Sequence, residues 1–439
     1  MSFKRINYRR VTTFLVIFVL VWMFLLIKDI PKPLKDVRNK LSAAQKYDNI
    51  DKEAISQKVD ILFEQVSNEL EESNRLLLEV QQKLLARHGG GGVRESPKKP
   101  ILPVLVVACN RVTVRRCLEQ LVKHRPDPET FPIIVSQDCG HNATYQVIKS
   151  FVDADPSISV VLQPNQSDIT VPKKMRSLKG YYKIARHYKF ALDHVLVTLG
   201  HEAVIIVEDD LDISPDFFEY FLGTYPLLSK DPTLWCISAW NDNGKQSLID
   251  LASPGLLHRT QFFPGLGWLL RSGVWGELRP VWPEAFFDDW LRDPAIIKSR
   301  SCIRPEISRT YSFGKVGVSK GQYFENHLRH MQLNTQFVHF TKLNLTYLLK
   351  ENYDRNLRML LPTLVEMTAP EVKNSYSVAP ESVIIIYDSV PEYTRAAKAL
   401  GLMDDLRGGI PRTGYEGIVT CFIKGRRVYL VPRETLRTI

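Results

Sequence analysis

The sequence predicts an α/β domain with a mostly parallel sheet, covered by helices on both faces. From Ile101 onward, short apolar runs alternate with longer stretches of helical periodicity. Strands separated by helices need right-handed crossovers, which place the strands parallel in one sheet. The composition agrees, because 44% hydrophobic and 24% charged residues exclude a wholly disordered chain.

The N-terminus predicts a membrane anchor. Residues 1–10 contain four basic residues and no acid, and residues 11–27 carry no charge. At ~1.5 Å per residue, a helix over 11–27 is about 25 Å long, which is enough for a thin bilayer. A cleaved signal peptide is the alternative, but residues 28–32 offer no small-x-small cleavage site. We therefore expect a cytosolic tail at 1–10, a transmembrane anchor at 11–27 and a lumenal remainder.

Residues 28–100 predict a stem. Apolar residues at 59–84 recur at alternating spacings of four and three, interrupted only by Ser73. This heptad pattern predicts a coiled coil through which two copies of the chain associate; the alternative is an amphipathic helix lying on the globular domain. Gly89–Gly92 ends the helix and begins a flexible polar linker.

The rest of the chain predicts a main domain at 101–350 and a smaller β-rich subdomain at 351–439. The predicted strands of the main domain lie at 101–109, 131–139, 157–164, 203–210 and 234–240. The predicted helices lie at 112–124, 143–153, 181–199 and 215–228. Ser214 is the expected N-cap of the last helix, with Pro215 at its first position. Beyond residue 350, strand signals return without clear crossover helices, and Lys424-Gly425 indicates a hairpin.

Several classes of function are not expected. No GxGxxG or Walker loop follows a predicted strand, which argues against a standard dinucleotide or P-loop site. The net charge is +10, but the basic residues are scattered, so nucleic-acid binding is not expected. The six cysteines include no CxxC pair that would indicate zinc, and a lumenal location would permit disulfides in any of fifteen full pairings. Sequons at Asn142, Asn165 and Asn344 agree with a lumenal location.

Three consecutive carboxylates form the strongest candidate site. The apolar run Ala203–Val207 predicts a buried strand, and Glu208, Asp209 and Asp210 follow it directly. Carboxylates at the edge of a hydrophobic strand repel one another and lose solvation, so a positive group is expected among them. Oxygen ligands suit Mg²⁺ or Mn²⁺. The alternative is a solvated acidic turn before a helix.

A second acidic pair, Asp288 and Asp289, lies among aromatic residues at 282–290. Partial desolvation there would raise the proton affinity of a carboxylate and suit it to general-base catalysis. The alternative is the edge of an aromatic core with a surface Asp pair. Two glycines at 263–268 permit close backbone approach to a ligand, or form a simple turn.

Nine blocks of sequence carry a family resemblance: ACNR (108–111), SQDCG (136–140), GYYKIARHYKFAL (180–192), VEDDLDISPDFFEYF (207–221), SAWNDNG (238–244), FFPGLGW (262–268), DDWLR (288–292), RPEISRT (304–310) and FGKVGVSKGQYF (313–324). In this order they resemble the N-acetylglucosaminyltransferase I family, the glycosyltransferases that start complex N-glycans. The resemblance covers the chain from Ile101 to about Pro432. It implies a GT-A fold, UDP-GlcNAc as donor, Mn²⁺ as cofactor and a type II protein of the Golgi membrane. The implied reaction is inverting β1,2-transfer to the α1,3-arm mannose of a high-mannose N-glycan.

The resemblance also implies roles for individual residues. Asp288 would be the catalytic base, and Asp210 would be the direct metal ligand. The implied donor-binding residues are Arg111, Asp138, His187, Glu208, Asp209, Leu266, Val318 and Ser319, the last two on a loop that closes over the pyrophosphate. The implied disulfides are Cys109–Cys139 and Cys236–Cys302, which leave Cys117 and Cys421 free. Phe287 and Asn110 depart from the Trp and Asp that the family has there, so the acceptor wall and the nucleotide pocket are expected to differ in detail.

Three other functions stay open from the sequence. The first is a related transferase that acts on O-linked mannose, because an anchor and stem are common to many transferases. The second is a non-catalytic lumenal lectin or tether that uses the stem and an inactive head. The third is a glycoside hydrolase, which also uses two carboxylates but has no need for an acidic strand end of the metal-binding type.

Overall fold

The computed structural model describes residues 99–315, 317–318, 321, 324–325, 327–376 and 381–438. The predicted tail, anchor, stem and linker at 1–98 lie outside this part of the chain, as does Ser319. Within the described ranges, the structure contains no helix with the length and apolarity needed to span a membrane.

The described residues form the following strands. They are β1 (Val104–Ala108), β2 (Ile133–Gln137), β3 (Ile158–Leu162), β4 (Ala203–Glu208), β5 (Leu211–Ile213), β6 (Leu234–Ser238), β7 (Leu257–Thr260), β8 (Trp268–Arg271), β9 (Ser301–Pro305), β10 (Thr310–Ser312), β11 (Val365–Glu366), β12 (Glu381–Tyr387), β13 (Leu406–Arg407), β14 (Ile410–Pro411), β15 (Val419–Ile423) and β16 (Arg426–Pro432).

The α-helices lie between these strands. They are α1 (Val114–His124), α2 (Asn142–Ala154), α3 (Lys179–Asp193), α4 (Phe217–Thr224), α5 (Leu227–Lys230), α6 (Ser272–Leu278), α7 (Phe287–Trp290), α8 (Pro294–Ile297), α9 (Lys350–Leu360), α10 (Ala369–Asn374), α11 (Val390–Leu400) and α12 (Arg433–Thr438). A π-helix, His194–Thr198, continues α3.

Eight of the described strands form the main sheet, in the spatial order β3-β2-β1-β4-β8-β6-β9-β7. Neighbours β3-β2, β2-β1, β1-β4 and β6-β9 are parallel. β8 runs antiparallel to β4 and β6, and β7 runs antiparallel to β9. The prediction of a mainly parallel α/β sheet is therefore confirmed.

The two faces of the sheet bury separate hydrophobic cores. Val104 and Val106 of β1 point into the core covered by α1, α2 and α4, whereas Leu105 points into the core covered by α3 and α6. This alternation follows from the two-residue period of a strand. It explains why the strand segments read as continuous apolar runs, since both faces are covered. The prediction of helices on both faces is confirmed.

The five predicted strands and the first three predicted helices are confirmed to within a few residues at their ends. The predicted start of the fourth helix is wrong. Helix α4 begins at Phe217, and the Ser214 hydroxyl donates to Asp216 Oδ1 instead of capping a helix that starts at Pro215. The single helix expected to Leu228 is divided into α4 and α5.

The C-terminal strands form a second sheet in the order β11-β12-β16-β15. β12 and β16 are parallel, and α11 lies between them in the chain, so the expectation of no crossover helix is wrong. The hairpin at Lys424-Gly425 is confirmed: β15 and β16 are antiparallel, and the two turn residues have φ of 50° and 84°.

Both expected disulfides are present. Cys109–Cys139 joins the chain just after β1 and β2, and Cys236–Cys302 joins the adjacent strands β6 and β9. Cys117 and Cys421 are free and buried. The first disulfide ties together the two strand ends that carry Arg111 and Asp138.

Candidate functional site

The candidate site lies at the carboxyl ends of β1 and β4. These strands are parallel neighbours, and Val107 of β1 is paired with Glu208 of β4. The residues that follow the two strands therefore meet at one edge of the sheet, which is where open α/β sheets bind ligands. Arg111 and Asp210, 99 residues apart in the chain, come into direct contact there.

The Arg111 guanidinium lies between two of the three carboxylates. Its Nη1 donates to Asp210 Oδ2 at 2.6 Å, and its Nη2 donates to Asp209 Oδ1. Burial lowers the pKa of Arg111, but the charges of Asp209 and Asp210 outweigh this effect and raise it. The positive group that the sequence analysis expected among the carboxylates is therefore, in part, this arginine.

Asp209 is the most buried of the three carboxylates, with a side chain that is 1% exposed. Burial raises its pKa to about 6, although Arg111 opposes this rise. The Cys109 amide donates a long hydrogen bond of 3.4 Å to Asp209 Oδ2. The residue that follows β1 thus helps to hold the Asp209 carboxylate, because β1 and β4 are adjacent in the sheet.

Asp210 keeps one oxygen available. Its Oδ2 accepts from Arg111, whereas its buried Oδ1 has no hydrogen-bond partner among the described residues. A buried carboxylate oxygen without a partner is costly unless a ligand or cation satisfies it. The Phe313 amide donates to the backbone oxygen of Asp210 at 3.0 Å, which brings the segment after β10 over the carboxylate.

Glu208 is held by Tyr188 of α3, whose hydroxyl donates to Glu208 Oε1 at 2.7 Å. Burial, followed by the charge of Asp210, raises the pKa of Glu208 to about 7. Burial and the charges of Glu208, Asp210 and Asp288 raise the pKa of Tyr188 well above its ordinary value. Tyr188 therefore lies within the electrostatic reach of both acidic groups that the sequence singled out.

Asp138 and His187 lie beside β2. Both side chains are buried, and the Ser136 hydroxyl shares a hydrogen bond of 2.9 Å with His187 Nε2. Burial lowers the pKa of His187 to about 4, although the charge of Asp138 opposes this. The Cys139 amide donates to Asp138 Oδ1 at 2.7 Å. At neutral pH the site thus holds an uncharged imidazole near Asp138.

Both Leu266 and Val318 lie next to glycines. Leu266 lies between Gly265 and Gly267 with a positive φ of 47°, and its carbonyl accepts from Thr310 Oγ1 at 2.6 Å. Val318 packs against Gly180 at the start of α3: a Cβ added to Gly180 would lie 2.8 Å from Val318 Cγ1. A larger residue at position 180 would displace Val318 from the rim of the site.

Asp288 lies on the short helix α7 and is half exposed, at 45% of its side chain. Arg292 Nη1 donates to Asp288 Oδ2 at 3.1 Å. The partial desolvation expected of this carboxylate stays a prediction. The neighbouring rings pack among themselves: Phe287 lies 4.2 Å from Tyr188 and 5.4 Å from Trp282 between ring centroids.

The acidic edge fits a divalent cation bound through one carboxylate. Within the described ranges, no group of three or more His, Cys, Asp or Glu side chains is arranged to hold a metal ion. Asp210 Oδ1 is nevertheless a buried oxygen ligand without a partner, and Arg111 balances only one of the adjacent negative charges. Ions such as Mn²⁺ commonly complete their coordination with water and substrate phosphates.

Three residues of this site were not expected from the sequence, namely Tyr188, Arg292 and Gly314. Arg292 follows Asp288 at helical spacing, a signal that could have been used. Tyr188 and Gly314 carried no comparable signal, because their contacts with Glu208 and Asp210 join distant parts of the chain.

The chain is similar in sequence to one protein family and to a plant enzyme. The model of the GNT-I family matches residues 9–439. An "alpha-1,3-mannosyl-glycoprotein 2-beta-N-acetylglucosaminyltransferase" of Arabidopsis thaliana is 34% identical over 394 residues, which cover 88% of this chain and 86% of the plant protein.

Two solved structures show a weaker likeness. The mannosyltransferase PcManGT from Pyrobaculum calidifontis, in complex with GDP-Man and Mn²⁺, is 14% identical, with a TM-score of 0.36 over 58% of this chain and 69% of that one. S. aureus TarS 1-349 is also 14% identical, with a TM-score of 0.31 over 60% of this chain and 73% of that one. Scores this low support no conclusion about the site.

Proposed function

Because the chain belongs to the GNT-I family, we propose that it transfers N-acetylglucosamine from UDP-GlcNAc, in β1,2 linkage, to the α1,3-arm mannose of a high-mannose N-glycan. The observation that carries this proposal is the family match over residues 9–439, which spans both the acidic strand end and the segment of Asp288. The name of the plant relative describes the same transfer.

The fold that we propose is of the GT-A type, with the donor at the carboxyl ends of β1 and β4. Arg111, Asp138 and His187 would bind the uridine and its phosphate neighbourhood. Glu208 and Asp209 would contact the sugar and ribose side of the donor, with Leu266, Val318 and Ser319 completing the pocket. The contacts among Arg111, Asp209 and Asp210 support this assignment, because they fix the orientation of these groups before a ligand arrives.

Asp210 would hold Mn²⁺ through its Oδ1 atom, which is buried and has no partner among the described residues. When bound, the cation would neutralise negative charge on the phosphates of the leaving UDP. Arg111 would remain on Oδ2 and hold the carboxylate in a single orientation. A single direct carboxylate suits a cation whose other ligands are substrate phosphate oxygens and water.

Asp288 would act as the catalytic base. Inverting transfer requires a base that takes the proton from the attacking mannose hydroxyl, on the face of the sugar opposite the leaving group. The exposure of Asp288 leaves its carboxylate accessible to an acceptor, and Arg292 holds one of its oxygens. Tyr188 connects the donor side to this base. Its hydroxyl donates to Glu208, and its ring packs against Phe287, the residue before Asp288.

A radiolabelled donor assay tests the proposed reaction. The full chain, purified in detergent, is incubated with UDP-[³H]GlcNAc and a high-mannose N-glycan, with and without EDTA. We expect transfer that EDTA abolishes and that added Mn²⁺ restores. An O-mannosyl peptide in the same panel separates the related reaction, and absence of transfer to either acceptor would favour a lectin or tether.

For its location, we propose the Golgi membrane, with residues 11–27 as a single-pass type II anchor. The uncharged run and the basic residues before it support this orientation. Residues 1–100 fused to a fluorescent protein are expected to reach the Golgi with the fluorophore protected from protease in sealed vesicles. Association of two copies through 59–84 is tested by cross-linking the same fusion.

A further inference from the structure

One arginine, Arg292, contacts the carboxylate of Asp288. Asp288 is half exposed, and Arg292 Nη1 donates a hydrogen bond of 3.1 Å to its Oδ2. The same nitrogen donates to Asp289 Oδ1 at 3.0 Å. The orientation of the Asp288 carboxylate therefore depends on where the guanidinium of Arg292 lies.

Arg292 is itself fixed by contacts outside the segment. Its side chain is only 11% exposed, and its Nε donates to the carbonyl of Phe263 at 3.1 Å. Its guanidinium carbon lies 5.0 Å from the ring centroid of Phe262. The planar guanidinium makes these contacts in different directions at once, which a lysine ammonium cannot reproduce.

A hairpin from the C-terminal part of the chain packs on this segment. It consists of β13 and β14, which are antiparallel. Arg407 Nε donates to Asp289 Oδ1 at 3.2 Å, the atom that Arg292 also contacts. Gly408, with φ of 55°, lies so close to Pro294 that an added Cβ would be 2.4 Å from Pro294 Cδ. The same Cβ would be 3.4 Å from the carbonyl oxygen of Arg292.

A second arginine anchors the hairpin to the main domain. The Arg412 guanidinium lies 4.9 Å from the centroid of the same Phe262 ring that Arg292 contacts. Arg412 donates to Asp405 Oδ1 and to Asp242 Oδ1, each at 2.6 Å. Asp242 lies just after β6, so the hairpin is tied to the main sheet as well as to the segment of Asp288.

We propose that the hairpin Leu406–Pro411 and Arg292 together position the Asp288 carboxylate, so that the C-terminal part of the chain sets the geometry of the transfer step. This inference rests on the proposed function, because it assigns Asp288 as the base. Arg292 and the hairpin are positioning elements, since they act through Asp288 and not on the substrate. A displacement of about 1 Å of a catalytic group can lower turnover about 100-fold.

The Arg407–Asp289 contact contributes more to geometry than to stability. Asp289 and Arg407 are 48% and 39% exposed, and exposed ion pairs contribute little to folding. Loss of the Arg407–Asp289 contact should therefore leave the melting temperature almost unchanged. An effect on turnover without an effect on stability separates positioning from folding.

Gly408→Ala and Gly409→Ala form a matched pair for the test. Both glycines have a positive φ, of 55° and 81°, but a Cβ at Gly409 would meet no atom of the described residues within 4 Å. In the full chain, we expect Gly408→Ala and Arg292→Lys to lower kcat about 10- to 100-fold, with the UDP-GlcNAc affinity unchanged. Gly409→Ala should keep the wild-type kcat. Arg407→Met, a change on an exposed side chain, should lower kcat several-fold without loss of folding.

Combination with Asp288→Asn tests whether these residues act through the base. Once Asp288→Asn has removed the base, Arg292→Lys should cause no further loss of turnover, because effects within one functional unit are not additive. Wild-type turnover in Gly408→Ala and Arg292→Lys would overturn the proposal, as would equal losses with and without Asp288→Asn. Absence of transfer by the wild-type chain would instead contradict the proposed function.

Discussion

The carboxylate of Asp210 lies directly against Gly314: a Cβ added to Gly314 would lie 1.9 Å from Asp210 Oδ2 and 2.7 Å from its Cγ. The carboxylate cannot move away freely, because Oδ2 accepts from Arg111 and the backbone oxygen of Asp210 accepts from the Phe313 amide. Position 314 therefore admits no side chain while Asp210 keeps its place at the strand end.

Gly314→Ala is expected to lower Mn²⁺-dependent transfer at least about 10-fold, because the added methyl group displaces either Asp210 or the segment above it. Gly276→Ala, on α6, is the matched control, since a Cβ there would meet no atom of the described residues within 4 Å. Mn²⁺ and UDP-GlcNAc affinities are measured by calorimetry beside the transfer rate. Equal behaviour of the two variants would contradict this description of the site.

Asp288→Asn should bind UDP-GlcNAc with unchanged affinity and turn over at least about 100-fold more slowly, because general-base catalysis contributes about 100- to 10,000-fold. The control is Asp293→Asn, five residues further on. Asp293 caps α8 by accepting from the Ala295 amide, a role that asparagine also fills. Near-normal turnover by the Asp288 variant would remove the assignment of the base.

Arg111→Lys should raise the KM for UDP-GlcNAc about 10-fold, because one ammonium cannot bridge Asp209 and Asp210 as the guanidinium does. Arg395→Lys is the control: Arg395 lies 4.0 Å from Glu392, and its side chain is 71% exposed, so the exchange should be nearly neutral. Steady-state kinetics at saturating acceptor distinguish the two. An unchanged KM in the Arg111 variant would indicate that the donor does not depend on this bridge.

The burial of His187 predicts a loss of stability in acid. Its folded pKa of about 4 lies below the ordinary histidine value, so the unfolded chain takes up the proton first as the pH falls. Its contribution is present above about pH 6.5 and is lost progressively towards pH 4. Between pH 8 and pH 5, the free energy of unfolding should fall by about 2 kcal/mol more in the wild type than in His187→Gln.

Urea unfolding at a series of pH values measures this difference. Glutamine can keep a hydrogen bond to Ser136 but does not titrate, and groups such as His258 are common to both proteins and cancel in the comparison. Parallel pH profiles for the wild type and His187→Gln would show that His187 is not held in its neutral form by burial.

Part of the fold follows directly from local sequence patterns. Ala203–Val207 is an apolar run, and it forms β4 because both faces of the sheet are covered. β7 and β9 escaped prediction because their buried faces carry charged residues. Arg259 of β7 is buried against Asp231 at 2.8 Å, and Arg304 of β9 is also buried. Such residues read as surface positions until their partners are known.

The candidate site, too, was predictable from the sequence only in part. The carboxylates at 208–210 were predictable because they directly follow an apolar strand, and the order of the nine sequence blocks indicated the family. The sequence placed Asp288 among aromatic residues but did not show which way they face: the rings pack against Tyr188 and Trp282, and 45% of the Asp288 side chain stays exposed. Nearness in sequence does not fix the direction of a side chain.

The sequence by itself thus determined the strands and helices whose patterns depend on near neighbours, the acidic strand end and the family. The tertiary structure alone decided which charges meet. Arg111 reaches Asp210 because β1 and β4 are adjacent in the sheet, and Arg407 reaches Asp289 across 118 residues because a hairpin folds back onto α7. These contacts depend on chain topology, which no local pattern of residues encodes.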